Sequence, residues 1–209
     1  MKIPRLLAIS SPEVRPGEAW RRWCSALAAA GVDGLQVRRK GGSDGELLAL
    51  ASEARVWTAS ALTLLLNARF DIALAADADG VQLPAAGLPV ARVRAALAAA
   101  ADRPLLLGRS THTPEEVRHA RDEGVDFVLF GPVFDTPSKA GRIPSRGLAG
   151  LAQAANCGLP VLALGGIDGG NADQALDAGA WGLAAIRWFA DPAAGRADFA
   201  ALQRRWQAA

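Results

Sequence analysis

This chain is poor in the residue types that mark secreted, zinc-binding and nucleic-acid-binding proteins. It has two cysteines, Cys24 and Cys157, which are too few for a disulfide framework and do not have zinc-ligand spacing. Lys and Arg total 23 and Asp and Glu total 21, so the net charge of +2 excludes a strongly basic nucleic-acid binder. No apolar run reaches membrane-spanning length, and residues 1–5 are unlike a signal peptide. We therefore expect a cytoplasmic protein without nucleic-acid or membrane partners.

Hydrophobic residues make up 51% of the 209 residues and charged residues 21%, which is ample for a folded core. Short apolar runs alternate with amphipathic helical stretches. Most runs are apolar throughout, which is typical of strands buried on both faces of a parallel sheet. The predicted strands are residues 5–10, 34–39, 62–67, 80–84, 105–110, 126–133, 161–167 and 181–186. The predicted helices are residues 17–30, 43–60, 70–76, 90–101, 114–123, 148–156, 172–178 and 193–206.

Eight strand–helix units in 209 residues predict a (β/α)8 TIM barrel, an α/β fold with a single domain over residues 1–209. An open doubly wound sheet is the alternative, although it usually has fewer strands and a topological switch point. In a barrel the carboxyl ends of all strands meet at one face, where active sites lie. The residues predicted at that face are polar and lean towards basic side chains. A small anionic molecule is therefore the expected ligand.

Two loops are candidates for binding phosphate. Gly165 and Gly166 follow the seventh predicted strand, and Ile186 and Arg187 lie at the end of the eighth. TIM barrels often bind phosphate at these two loops, where backbone N–H groups can approach an oxyanion. A plain tight turn at the two glycines is the alternative interpretation.

Polar residues also follow the second, fifth and sixth strands. Gln36, Arg38 and Lys40 are spaced by two residues, so they point to one face of their strand. The alternative to ligand contact is that these charged side chains simply extend into water at the end of the strand, and this interpretation fits Lys40 best. His112 is a candidate acid–base residue, although a histidine beside a helix N-terminus can form only a local hydrogen bond. Residues 131–147 are typical of a phosphate-closing lid or of an ordinary surface loop.

Six motifs, in order along the chain, resemble the thiamine phosphate synthase/TenI superfamily. They are Gln36-x-Arg38-x-Lys40, Leu66-Asn67, Ala78-Asp79-Gly80-Val81, Gly108-x-Ser110-Thr111-His112, Phe130-Gly131-Pro132-Val133-Phe134 through Thr136 to Lys139, and Leu164-Gly165-Gly166-Ile167. The combination, from first to eighth strand, is more specific than any single motif. The resemblance implies a TIM barrel, a role in thiamine (vitamin B1) biosynthesis, and a ligand carrying phosphate, either a thiazole phosphate or thiamine phosphate.

The resemblance also exposes a missing metal site. Synthases of this superfamily hold magnesium through carboxylates in an Asn-Asp-Arg stretch after the third strand and a Gly-Gln-x-Asp stretch after the fourth. Those positions here are Ala68 and Gly87. Because Mg²⁺ is usually held by one or two carboxylates plus substrate phosphate, we expect no metal and no other cofactor. Asp71 and Asp79 are close in sequence but are predicted to point away from the mouth.

The strand-4, strand-5 and strand-6 motifs, the last being Val128-Leu129-Phe130-Gly131, resemble the TenI branch, whose thiazole tautomerases isomerise a thiazole carboxylate phosphate by moving a proton without metal. The acid–base histidine of that branch follows the strand-6 glycine, where this chain has Pro132. His112 and Asp135 are the nearest candidates for the proton transfer. A TenI-like tautomerase is therefore the leading hypothesis. The alternatives are a catalytically weak or inactive barrel binding thiazole or thiamine phosphate, a synthase with a relocated Mg²⁺ site, and a phosphate-binding barrel outside thiamine metabolism.

The predicted substrate- and phosphate-binding residues are Gln36, Arg38, Lys40, Asn67, Arg109, Ser110, Thr136, Ser138, Lys139, Gly165, Gly166, Ile186 and Arg187. The residues similar to pyrimidine- and pyrophosphate-contacting residues of the synthases are Gln36, Lys40, Thr136, Ser138 and Lys139. Arg187 stands where the family usually has a small hydroxyl residue. Relatives with this barrel commonly dimerise, and the tryptophans on predicted helices permit a homodimer.

Overall fold

Eight parallel strands close into a barrel in the computed structural model, which describes residues 2–39, 41–136 and 144–208. Each strand pairs with its neighbour in chain order, and the eighth pairs with the first. The strands are β1 Leu6–Ile9, β2 Gly34–Val37, β3 Thr63–Asn67, β4 Gly80–Leu83, β5 Leu106–Thr111, β6 Phe127–Phe130, β7 Val161–Leu164 and β8 Gly182–Ala185. The prediction of a (β/α)8 TIM barrel is confirmed.

The strands alternate with helices that surround the barrel. The helices are α1 Glu18–Ala29, α2 Asp44–Trp57, α3 Phe70–Ala75, α4 Val90–Ala100, α5 Pro114–Asp122, α6 Gly147–Ala155, α7 Ala172–Asp177 and α8 Arg196–Ala208. A short 3-10 helix, Arg187–Phe189, lies between β8 and α8, and the sequence pattern does not predict it. Within the described ranges, none of the helices combines the length and apolar character that a membrane span requires.

Side chains alternate between the two faces of each strand and form two apolar layers. Leu7, Phe127 and Leu162 fill the interior of the barrel. Leu35 and Val128 belong to the larger layer between the strands and the helices. Burial of one such large side chain contributes roughly 1.5–3 kcal/mol. The interior is therefore a packed core, and space for a ligand remains only towards its ends.

Carboxylates fasten the amino-terminal ends of three strands. Asp33, just before β2, accepts the backbone N–H groups of Arg5 at 3.0 Å and Leu6 at 2.7 Å. Asp79 and Asp126 accept an N–H group near the start of β3 and of β5 in the same way. Hydrogen bonds to an ionised carboxylate are stronger than neutral ones. These contacts stabilise the end of the barrel that lies opposite the carboxyl ends of the strands.

We predict that Asp33→Ala lowers the free energy of unfolding by about 2–3 kcal/mol, because two N–H groups lose a charged acceptor. Lys2→Ala is the matched control, since Lys2 lies 3.7 Å from the same carboxylate but is 75% exposed and should contribute below about 0.5 kcal/mol. Urea unfolding of both variants makes the comparison. Equal losses in the two variants would show that Asp33 acts only through the surface ion pair.

Candidate active site

A cavity of about 610 Å³ opens at the carboxyl ends of the strands. This volume lies within the range of small-molecule sites, and the position is that of TIM-barrel active sites. Gln36, Asn67 and Ser110, from β2, β3 and β5, make one part of its wall polar. Leu129 and Leu164, from β6 and β7, make another part apolar. The cavity can therefore receive a ligand with both a polar edge and an apolar surface.

The structure brings ten of the predicted site residues to this cavity. They are Gln36, Arg38, Asn67, Ser110, His112, Thr136, Gly165, Gly166, Ile186 and Arg187. Lys40, Ser138 and Lys139 lie outside the described residues. Arg109 and Asp135 are described but do not line the cavity. The binding and catalytic roles of these residues remain predictions.

The structure places Arg109 on the outer face of β5, contrary to the expectation that it faces the ligand. Successive side chains of a strand point to opposite faces, and the next residue, Ser110, lines the cavity. The Arg109 guanidinium instead donates to the carbonyl oxygens of Ala85 and Leu88. Asp135, on the loop after β6, is exposed to solvent. His112 is therefore the one of the two predicted acid–base residues that reaches the cavity.

Residues of two loops line the cavity without having been identified from the sequence. Ser11, Pro12 and Glu13 lie between β1 and α1, and Pro84 and Ala85 lie between β4 and α4. Glu13 is the one carboxylate in the lining, as far as the described residues go. The signal was present for both loops, because each directly follows the carboxyl end of a strand.

The polar part of the wall contains an unused acceptor. Gln36 is 2% exposed, and its Nε2 donates to Asn67 Oδ1 at 3.0 Å. The Oε1 atom of Gln36 is buried and has no hydrogen-bond partner within the described part of the chain. Buried polar atoms usually have a partner.

Two arginines give the cavity its charge. Neither Arg38 nor Arg187 has a carboxylate within ion-pair distance among the residues that the structure describes. Burial lowers the pKa of the Arg38 guanidinium, and the charge of Glu13 partly opposes that shift. Arginine nevertheless stays protonated at neutral pH. The Nη2 atom of Arg187 donates to Thr136 Oγ1 at 3.4 Å. Two cations without bound carboxylates favour an anionic ligand.

Gly165 and Gly166 form a close junction between the loops after β6 and β7. Their φ angles are +97° and +68°, a region that favours glycine. A Cβ atom on Gly165 would lie 2.6 Å from Pro132 Cα, and one on Gly166 would lie 2.7 Å from the carbonyl oxygen of Asp135. Packing alone therefore explains both glycines. Both glycines also line the cavity, so the phosphate interpretation stays a prediction beside the tight turn.

His112 is held by contacts on two sides. Its Nδ1 atom faces the carbonyl oxygen of Gly131. Because a carbonyl oxygen only accepts hydrogen bonds, Nδ1 carries the proton and Nε2 is the basic nitrogen. The backbone N–H of His112 donates to Glu116 Oε2 at 2.6 Å. The ring is thus fixed in the tautomer that can accept a proton at Nε2.

The positions that carry the magnesium ligands in the synthases do not fit a magnesium ion here. Ala68 and Gly87 offer no side-chain oxygen. The Asp71 carboxylate is bound to Arg69, which holds the pKa of that carboxyl below its usual value. Asp79 lies at the opposite end of the barrel, near the start of β3. Across residues 2–39, 41–136 and 144–208, no group of three or more His, Cys, Asp or Glu side chains could hold a metal ion.

Comparison with known proteins decides the family. A family model described as thiamine monophosphate synthase matches residues 6–189. The chain belongs to the thiamine monophosphate synthase/TenI family. The thiamine-phosphate synthase of Thermus thermophilus is 38% identical over 195 residues, covering 90% of this chain and 90% of that protein. The synthase of Halalkalibacterium halodurans is 36% identical over 185 residues, covering 86% and 84%.

A solved structure gives the same family assignment. The thiamine phosphate pyrophosphorylase from Pyrococcus furiosus superposes with a TM-score of 0.79 at 27% identity, covering 96% of this chain and 94% of that one. The resemblance drawn from the six motifs is therefore confirmed at the level of the superfamily, and with it the role in thiamine biosynthesis. The assignment of this family member to the TenI branch stays a prediction.

We predict that Arg187→Ser weakens the binding of thiazole phosphate about tenfold, because one charge-assisted hydrogen bond to the phosphate is lost. Arg204→Ser is the matched control, since it removes the same charge from an exposed position on α8. Isothermal titration calorimetry of both variants measures the effect. If the two substitutions change the dissociation constant equally, Arg187 contributes only through net charge.

Proposed function

We propose that this protein is a metal-independent thiazole tautomerase of the TenI type, with His112 as the proton carrier. The observation that carries the proposal is the setting of His112. Its ring lines the cavity, and the Gly131 carbonyl fixes the proton on Nδ1, so Nε2 is left to accept a proton from a ligand. A catalytic base must lie within hydrogen-bond reach of the proton it removes. We propose that the substrate binds with the transferred proton within this reach of Nε2.

The charges of the cavity support the same substrate. A thiazole carboxylate phosphate carries two anionic groups, a phosphate and a carboxylate. We assign the phosphate to Gly165, Gly166 and Arg187, at the loops after β7 and β8. Arg38 lies on the β2 side of the cavity and is the cation available to the carboxylate. The apolar part of the wall would contact the faces of the thiazole ring.

The proposed reaction moves one proton between two positions of the substrate. The Nε2 atom of His112 accepts the proton, and the imidazolium that forms is stabilised by its Nδ1–H bond to the Gly131 carbonyl oxygen. The same Nε2–H then returns the proton at the second position, so the histidine and the net charge are restored. Histidine suits this exchange because it takes up and releases protons near neutral pH. No carboxylate-held metal is needed for either step.

We predict that His112→Gln lowers the tautomerase rate at least 100-fold, which is the usual contribution of a general acid–base group. The chain's other histidine, His119, provides the control, since its side chain is 76% exposed on α5 and His119→Gln should leave the rate unchanged. Both variants are assayed with thiazole carboxylate phosphate. Full activity in His112→Gln would remove the assignment. Tight binding without turnover in the unmodified protein would favour the inactive binding barrel.

Thiamine-phosphate synthase is the second candidate, because the relatives at 36% and 38% identity carry that name. The absence of side-chain oxygens at Ala68 and Gly87 argues against it. Ala68 is held at φ +65°, a conformation that aspartate adopts more readily than alanine. The backbone at this position therefore still suits the carboxylate that the synthases carry.

We predict that the unmodified protein does not couple pyrimidine pyrophosphate to thiazole phosphate, even at saturating Mg²⁺, because Ala68 and Gly87 lack the two carboxylates that anchor the metal in the synthases. The measurement is thiamine phosphate formation, with the Thermus thermophilus synthase as the positive control. The double variant Ala68→Asp, Gly87→Asp restores both carboxylates and tests whether their loss alone limits coupling. Magnesium-dependent coupling by the unmodified protein would favour the synthase over the tautomerase as the function of this protein.

A further inference from the structure

Arg109 is a charged residue that neither lines the ligand cavity nor belongs to the apolar layer between strands and helices. It lies in β5 on the face turned away from the cavity, and its side chain is only 16% exposed. An arginine is rarely buried unless its donors have partners. The hydrogen-bond acceptors of Arg109 identify the segments that this side chain connects.

The Arg109 guanidinium connects a helix to a cavity loop. Its Nη2 donates to the carbonyl oxygen of Ala85 at 2.9 Å, and its Nη1 donates to that of Leu88 at 3.4 Å. Its Nη1 also lies 3.6 Å from Glu123 Oε2, at the end of α5. The planar fork of arginine can reach separate acceptors at the same time. One side chain therefore joins the β4–α4 loop to β5 and α5.

The residues of the β4–α4 loop, 84–89, are all exposed or half-buried. Residues 84–89 contain no charged side chain, and Leu88 is 53% exposed. A turn forms where the N–H of Gly87 donates to the carbonyl oxygen of Pro84 at 2.9 Å. Pro84 and Ala85 line the cavity. Loops with few buried apolar contacts open easily, so a tether at Ala85 and Leu88 would keep this part of the wall in place.

We infer that Arg109 is a positioning residue, which fixes the β4–α4 loop as a rigid wall of the ligand cavity. It acts through the carbonyl oxygens of Ala85 and Leu88 and does not touch the ligand. The inference rests on the proposed use of the cavity for a phosphorylated thiazole, but it does not depend on which reaction takes place there. A preformed wall strengthens binding because the loop need not be ordered when the ligand enters.

The test compares Arg109→Ala with Glu123→Gln. The second variant removes the ion pair but leaves the arginine and its two carbonyl contacts. Arg109→Lys is the more conservative variant, with a single ammonium in place of two separated nitrogen atoms. Hydrogen exchange at the Gly87 amide of the free protein measures how often the β4–α4 loop opens. Calorimetry with thiazole phosphate measures whether the position of this loop affects the dissociation constant.

We expect Arg109→Ala to speed exchange at Gly87 and to raise the dissociation constant, each about tenfold. We expect Arg109→Lys to fall between it and the unmodified protein, and Glu123→Gln to change neither value. Unchanged exchange or unchanged binding in Arg109→Ala would overturn the inference, as would equal effects of Arg109→Ala and Glu123→Gln. If the unmodified protein binds no thiazole phosphate, the proposed function fails, and the exchange data alone decide whether Arg109 holds the loop.

Discussion

The alternation of side chains along closed parallel strands decides which charges reach the cavity. Arg38 and Arg39 are consecutive at the end of β2, yet Arg38 lines the cavity, whereas Arg39 is buried 3.0 Å from Glu46. Ser110 and Arg109 divide between the two faces of β5 in the same way. In a closed barrel every strand has ladders on both sides, so its register cannot slip without exchanging these faces. The charge of the site follows from this constraint.

Much of the fold could be predicted from the sequence, because continuous apolar runs mark strands that are buried on both faces. The ends of strands were less predictable. The run at 126–133 continues past β6, which ends at Phe130, because Pro132 has no N–H for the ladder while Val133 beyond it is still buried in the outer core. The same limit applies to the site. The alternation of side chains along a strand correctly predicts that Arg38 lines the cavity. The same rule, applied to β5, predicts that Arg109 faces away from it. Loop residues such as Glu13 and Asp135 follow no period.

The site differs from the synthase pattern at the two metal-ligand positions. The barrel, the polar wall and the glycine junction suit a phosphorylated ligand of thiamine biosynthesis. The two metal-ligand positions hold Ala68 and Gly87, and the cavity has two arginines against one carboxylate, Glu13, in its described lining. Positive side chains can balance the charge of a phosphate that a metal ion would otherwise balance. The proposed function therefore requires that the protein bind its ligand without magnesium.

Calorimetric titration with thiazole phosphate, once in EDTA and once in millimolar Mg²⁺, tests that claim most directly. We predict the same dissociation constant in both buffers, because the proposed phosphate contacts come from Arg187 and the glycine junction, which line the cavity. Pyrimidine pyrophosphate, titrated in the same two buffers, is the comparison ligand. Binding of thiazole phosphate only in the presence of Mg²⁺ would contradict this prediction. So would tight, magnesium-dependent binding of the pyrophosphate.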